Sequence, residues 1–250
     1  MVGHKLTREM HELASMLAKL SSKGPLKAIG MGDTSVGMTL LHHLQIPYSS
    51  TYKPNFKGIT ISARRGTKAK DLNRVNLFAK VPDWNLSACK SSAEIVEKYG
   101  YEREDGKKLY CTVNSRQPNS QGLILEVDTG YGLLYENHIK KNANKDQVAI
   151  WRLDVLEKKL KDNHKSSVWV IAVPSIKGGE EYFHFRYATF TSNPKISMFA
   201  NLIEQGTITM DHLIWKKLAR VVEKGPLFKI KPENVDSLFP VAAKVDLFEL

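Results

Sequence analysis

Between Lys57 and Lys80 the chain concentrates side chains able to hold a polyanion. Lys57, Arg64, Arg65, Lys68, Lys70, Arg74 and Lys80 stand there against one acid, Asp71. Cations at that density neutralise phosphates, and with Asn73 and Asn76 interleaved the run suits a surface gripping phosphates and sugars. A merely solvated face has the same composition, so the run does not decide by itself. The whole chain leans the same way, with 37 Lys and Arg against 26 Asp and Glu and a net charge of +11. Such a balance favours association with nucleic acid and says nothing about fold.

Other residue types that do chemistry elsewhere read as structural here. The stretch Gly30-Met-Gly-Asp-Thr-Ser-Val-Gly37 precedes a helix as phosphate loops do, but lacks their Lys-Ser/Thr and reads as a turn. His42 and His43 sit on a helix with no acid at ligand spacing, and His184 lies in an aromatic strand. Cys89 and Cys111 show no paired or metal-ligand spacing, which suits reduced thiols in a cytoplasmic protein.

The elements that must position these residues follow from periodicity. Leu6, Met10, Leu13, Leu17 and Leu20 predict an amphipathic helix over 5–20, ended by Gly24-Pro25, and a second helix is expected over 38–44. Arg8, Glu9, His11 and Glu12 break any signal-peptide apolar core, and no run reaches the roughly 20 apolar residues of a membrane span. Residues 58–65 alternate like a strand, with 74–80 as its neighbour. Residues 121–137 predict a hairpin turning at Thr129-Gly130-Tyr131, followed by a strand over 148–153 and a basic helix over 155–162 capped by Asp154. Residues 166–176 and 180–190 form a strand pair across Lys177-Gly178-Gly179, then a helix over 196–205 and a strand over 207–210. This order predicts an α/β fold around a mixed β-sheet flanked by helices.

Several landmarks in this order resemble the MvaI/BcnI family of type II restriction endonucleases, relatives of the mismatch-repair nickase MutH. They include Asp33-Thr-Ser-Val-Gly37, Arg65-Gly-Thr-Lys-Ala-Lys70, Asn76-Leu-Phe-Ala-Lys80 and Lys98-Tyr-Gly100. Further on come Leu123–Asp128, Trp151-Arg-Leu153, Tyr182-Phe-His-Phe185, Ile203-Glu-Gln-Gly206 and Gly225–Ile230. The resemblance implies a MutH-like restriction-endonuclease fold of one domain over 1–240. Two lobes, about 20–120 and 120–235, would flank a DNA cleft, and 241–250 would form a C-terminal tail. It also implies magnesium-dependent cleavage of duplex DNA in active members.

That chemistry needs carboxylates to hold the metal beside the phosphate and a lysine to assist the water. The family pattern is Asp followed by Glu-x-Lys on a strand, and the resemblance places Asn55, Thr60 and Ser62 at those positions. Leu41 stands where relatives carry a further carboxylate, and Val222-Glu-Lys-Gly225 replaces a His-Asp-x-Gly base-reading loop, leaving Lys224 for guanine or phosphate. The expectation is therefore a duplex-DNA-binding pseudo-nuclease with no resident cofactor. Two alternatives stay open. One is a magnesium-dependent endonuclease whose site is rebuilt from Asp33, Asp71 or Asp83 with Lys57 or Arg64. The other is a non-catalytic subunit beside a catalytically active protein partner.

Overall fold

A computed structural model describes residues 6–48, 54–66, 74–141, 144–218 and 220–249. In chain order the first elements are α1 (Arg8–Ser21), β1 (Leu26–Lys27), α2 (Ser35–His43), β2 (Ile59–Arg65) and β3 (Val75–Ala79). Next come α3 (Ser92–Tyr99), β4 (Tyr101–Arg103), β5 (Gly106–Val113), β6 (Leu123–Asp128), β7 (Leu133–Ile139) and β8 (Lys145–Arg152). The middle continues through α4 (Leu153–Asn163), β9 (Ser166–Lys177), β10 (Glu180–Thr191) and α5 (Phe199–Glu204). The last elements are β11 (Ile208–Lys217), β12 (Arg220–Glu223), β13 (Leu227–Ile230), α6 (Val235–Leu238) and β14 (Val241–Asp246).

The chain divides into two compact units, each discontinuous in sequence. One comprises Met1–Asn73, Lys161–Pro194 and Phe239–Leu250, and the other Arg74–Leu160 and Lys195–Leu238. The chain therefore passes between them four times, and neither unit corresponds to a single stretch such as 20–120 or 120–235.

The first unit carries a mixed sheet in the order β1-β10-β9-β2, with β14 also paired to β10. Strand β2 runs parallel to β9, and the other pairs are antiparallel. Alternation along β2 sends Ile59 and Ile61 into a core with Leu13 and Leu17 of α1 and Leu40 of α2. Helix α1 forms because its apolar residues fall on one stripe and Thr7 caps it, its hydroxyl accepting the Met10 N–H at 3.3 Å. Each fully buried leucine contributes about 1.5–3 kcal/mol by leaving water. The opposite face of the sheet is polar at one end: Thr60, Ser167 and Thr191 lie in register across three strands, all buried.

The second unit holds an antiparallel sheet in the order β3-β13-β11-β5-β4, with β12 on β11, and a three-stranded sheet β6-β7-β8. Its core centres on Phe78 and Phe228, whose ring centroids are 5.0 Å apart, and on Trp151, set edge-on to Phe228. The Trp151 indole N–H donates to the Lys80 carbonyl at 2.8 Å. Within this unit lies a wholly buried pair, His212 Nε2 to Glu136 Oε1 at 2.8 Å, both residues at 0% exposure.

Most expected elements are present, with displaced ends. Strand 74–80 is the main correction. It does not neighbour 58–65: β3 pairs with β13, whereas β2 pairs with β9. Alternation identifies a strand but carries no information on its partner. The C-terminal residues are not a tail, since 241–246 form an edge strand against Tyr187–Thr191. Asp154 lies in the first turn of α4 rather than before it. No helix among the described residues is long and apolar enough to cross a membrane.

The buried pair gives stability a defined pH dependence. Burial alone would lower the pKa of His212, but the adjacent Glu136 carboxylate outweighs it and the net shift is upward. A raised folded pKa favours the protonated state, so this contribution is full below about pH 6.5 and fades as pH rises through the folded pKa. Glu223, raised by its burial, acts in the same sense at lower pH. Urea unfolding is expected to show stability declining from pH 6 to pH 9. Glu136→Gln should flatten that slope and cost about 3–5 kcal/mol, as removal of one buried partner does.

Candidate functional site

Strand β2 is entered through a tight turn. Lys57 and Gly58 both have positive φ, 45° and 84°, and Phe56 and Ile59 exchange backbone hydrogen bonds across them. Only glycine adopts that conformation without cost; the Lys57 ammonium meets Glu12 at 2.6 Å. The turn folds Asn55 back beside the strand, where its side-chain Oδ1 accepts the Ile61 N–H at 3.0 Å.

Thr60 lies on the polar face of the sheet and is 6% exposed. Its hydroxyl donates to the Asn163 carbonyl at 2.5 Å, at the end of α4. Beneath it, His164 Nδ1 lies 3.0 Å from Ser167 Oγ, and the Thr191 hydroxyl donates to the Ser167 carbonyl. Ser62 is half-buried two residues along on the same face, opposite Trp169. Leu41 is buried in the apolar core of α1, α2 and the sheet. The structure thus puts Thr60 and Ser62 on one face of β2 with Asn55 folded back beside that strand, and places Leu41 in the apolar core.

This donor set does not fit magnesium. The Asn55 oxygen already accepts a backbone N–H, and Thr60 and Ser62 bring only neutral hydroxyls, which offset none of the ion's charge. The one unpartnered buried atom at Asn163 is its side-chain Nδ2, a hydrogen-bond donor of the wrong polarity for a cation. Among the described residues no group of three His, Cys, Asp or Glu could hold a metal ion. Of the acids considered for a rebuilt site, Asp33 is fully exposed, 3.8 Å from Arg65. Asp83 caps a turn through the Asn85 N–H. Asp71 lies outside the described residues.

The basic residues divide by partner. Arg65 forms a two-pronged pair with Glu181 at 2.7 and 2.8 Å and donates to the Gly32 carbonyl and Ser35 hydroxyl. That hydrogen bonding raises the guanidinium pKa and lowers that of Glu181. Arg74 reaches Asp211 at 2.8 Å and the hydroxyls of Thr112 and Thr209. Lys229 meets the same carboxylate at 2.7 Å. Burial would raise the Asp211 pKa, but Lys229 and Arg74 outweigh it and the net shift is downward. Arg64 and Lys80 are half-buried, and Lys224 is exposed. Lys68 and Lys70 lie outside the described residues. Sequence reasoning missed Glu181, Asp211 and Asn163. Each is more than 100 residues from its partner, and no local pattern marks such pairings. His184 Nε2 lies 3.2 Å from the Ser21 hydroxyl, and His42 and His43 pack ring to ring.

Among solved structures, the fold matches the restriction endonuclease MvaI bound to its cognate DNA substrate. The TM-score is 0.83 at 19% identity, over 97% of this chain and all of that one. MvaI in the absence of DNA matches with a TM-score of 0.58 at 18% identity, over 95% and 98% of the two chains. The architecture is therefore that of a restriction endonuclease. A family model covers residues 14–239, and the chain belongs to the MvaI/BcnI restriction endonuclease family. No curated protein matches it.

The local geometry predicts an asymmetric response to restoring acids. Asn55→Asp keeps an acceptor for the Ile61 N–H and should shift the thermal midpoint little. Thr60→Glu removes the donor to Asn163 and sets a carboxylate against a carbonyl, with an expected loss of about 2–3 kcal/mol. Calorimetric melting of the two variants checks the contrast; equal destabilisation would contradict it.

Proposed function

We propose that this chain binds double-stranded DNA on a restriction-endonuclease fold without cutting it. The observation that carries this reading is the state of β2, where the position expected to hold a glutamate is a threonine turned into the protein. A magnesium ion held by one amide and two hydroxyls lacks the negative charge that offsets its dehydration beside a phosphate. The retained family architecture and the net charge of +11 support DNA as the partner. MvaI, a member of the same family, has been solved with its cognate DNA.

Phosphate contact then falls to cations outside internal pairs. Lys224, exposed after β12, and Lys80, at the end of β3, have no carboxylate partner among the described residues, while Lys57, Arg65 and Arg74 do. Gel-shift titrations with mixed-sequence duplexes are expected to show affinity falling steeply with salt. A binder making about six phosphate contacts loses roughly a thousandfold between 50 and 200 mM. Lys224→Ala should weaken binding several-fold and reduce the salt slope by about one. Supercoiled plasmid incubated with magnesium or manganese should remain intact. Salt-independent binding, or nicked product that tracks the purified chain, would sink the reading.

A further inference from the structure

The antiparallel sheet of the second unit has one apolar face and one face that is aromatic and cationic. Leu109, Val113, Met210 and Ile214 point to the buried side, all at 0% exposure. Their sequence neighbours point the other way and line up across strands. Tyr101, Lys108, Trp215 and Val222 form one cross-strand row over β4, β5, β11 and β12. Tyr110 stands opposite Leu213 in the next row, and Lys217 and Arg220 are paired at the far end.

The rings are arranged around cations. Arg103 lies over Tyr101 at 4.9 Å, and the Lys108 ammonium is 5.7 Å from the Tyr110 ring and 5.5 Å from that of Trp215. Trp215 is fixed by its indole N–H on the Asp105 carbonyl at 3.0 Å, and the Tyr101 hydroxyl donates to the Tyr110 carbonyl at 3.5 Å. Tyr110 nevertheless remains 47% exposed. Two adjoining depressions share Tyr101, Glu102, Arg103 and Tyr110. One, of about 500 Å³, continues to Thr112 and Gln121; the other, of about 900 Å³, continues to Lys108, Glu104 and Asp105. Acids on the second side are partly neutralised, since Asp105 meets Lys108 at 2.7 Å and Glu102 meets Lys107 at 3.8 Å.

We infer that this face is a stacking platform for unpaired DNA nucleotides, with a base seated against Tyr110 in the depression bounded by Thr112 and Gln121. Exposed rings on a sheet stack bases of any identity, and a cation beside them such as Arg103, over Tyr101, can take a backbone phosphate, while Lys108 is engaged by Asp105. A base in a paired helix presents only its edge and cannot use the ring face. The platform rests on residues of the second unit alone and does not depend on the duplex-binding reading.

The test uses the full chain and a short oligothymidylate at low salt. Trp215 emission should be quenched on binding, and the quench should vanish in Trp215→Phe. Of the other three tryptophans, Trp151 and Trp169 are buried and report little, and any signal from half-buried Trp84 persists in Trp215→Phe and is thereby separated. Tyr110→Ala and Tyr101→Ala should each weaken binding roughly tenfold, whereas Tyr110→Phe, which keeps the ring, should bind as the parent does. An abasic oligonucleotide of equal length should bind the parent chain roughly tenfold more weakly. Absence of quenching, or equal affinity for the abasic strand, overturns the platform, and the second readout needs no variant to fold. A duplex measured in parallel separates the two readings. Loss of the oligothymidylate signal with duplex binding intact sinks only this inference, and the reverse sinks only the duplex reading.

Discussion

A hydroxyl needs one acceptor to be buried comfortably, and a carboxylate needs charge. That difference governs the face of β2. The Thr60 proton sits on the Asn163 carbonyl, so the end of α4 and the strand are joined by a neutral bond where an ionised group would be left uncompensated. Ser167 and Thr191 continue the arrangement across β9 and β10, and His164 and Trp169 close over it with rings 5.5 Å apart. The region packs as an extension of the core, with the Thr60, Ser167 and Thr191 hydroxyls partnered and the Asn163 Nδ2 left without a partner.

The same logic runs through the cations. Guanidiniums make their best bonds with carboxylates in a fixed fork, as Arg65 does with Glu181, while Arg74 sets its Nη2 on both oxygens of Asp211. Arg65 ties the Gly32–Ser35 turn to β10, and Arg74 ties β3 to β11 and β5. Net charge therefore overstates how much of the basic run can face a ligand, because part of it organises the fold.

Periodicity was a good guide to elements and a poor one to pairing. The stripe of Met10, Leu13, Leu17 and Leu20, the hairpin at Thr129–Tyr131 and the strand pair across Gly178-Gly179 all announce themselves because their physics is local. Strands β4, β5, β12 and β13 went unread: β5 carries Lys107 and Lys108 and β12 is four residues long, so alternation is weak. The partner of β3 was misjudged because sheet neighbours are chosen by burial across the whole chain. At the candidate site, residue identities at 55, 60 and 62 were visible beforehand. What neutralises them was not, since Asn163 is 103 residues from Thr60.

Strand β14 has a further consequence for how the molecule is made. It completes the sheet of the first unit from residues 241–246, and Leu247 enters the core founded by α1 and α2 near the other end of the chain. Those residues leave the ribosome only after everything needed for the second unit, Arg74–Leu160 and Lys195–Leu238, has emerged. The second unit can therefore assemble during synthesis, while the first waits with Tyr187–Thr191 of β10 unpaired on the flank that β14 will cover. Nascent chains stalled before residue 241 are the species on which chaperones would act.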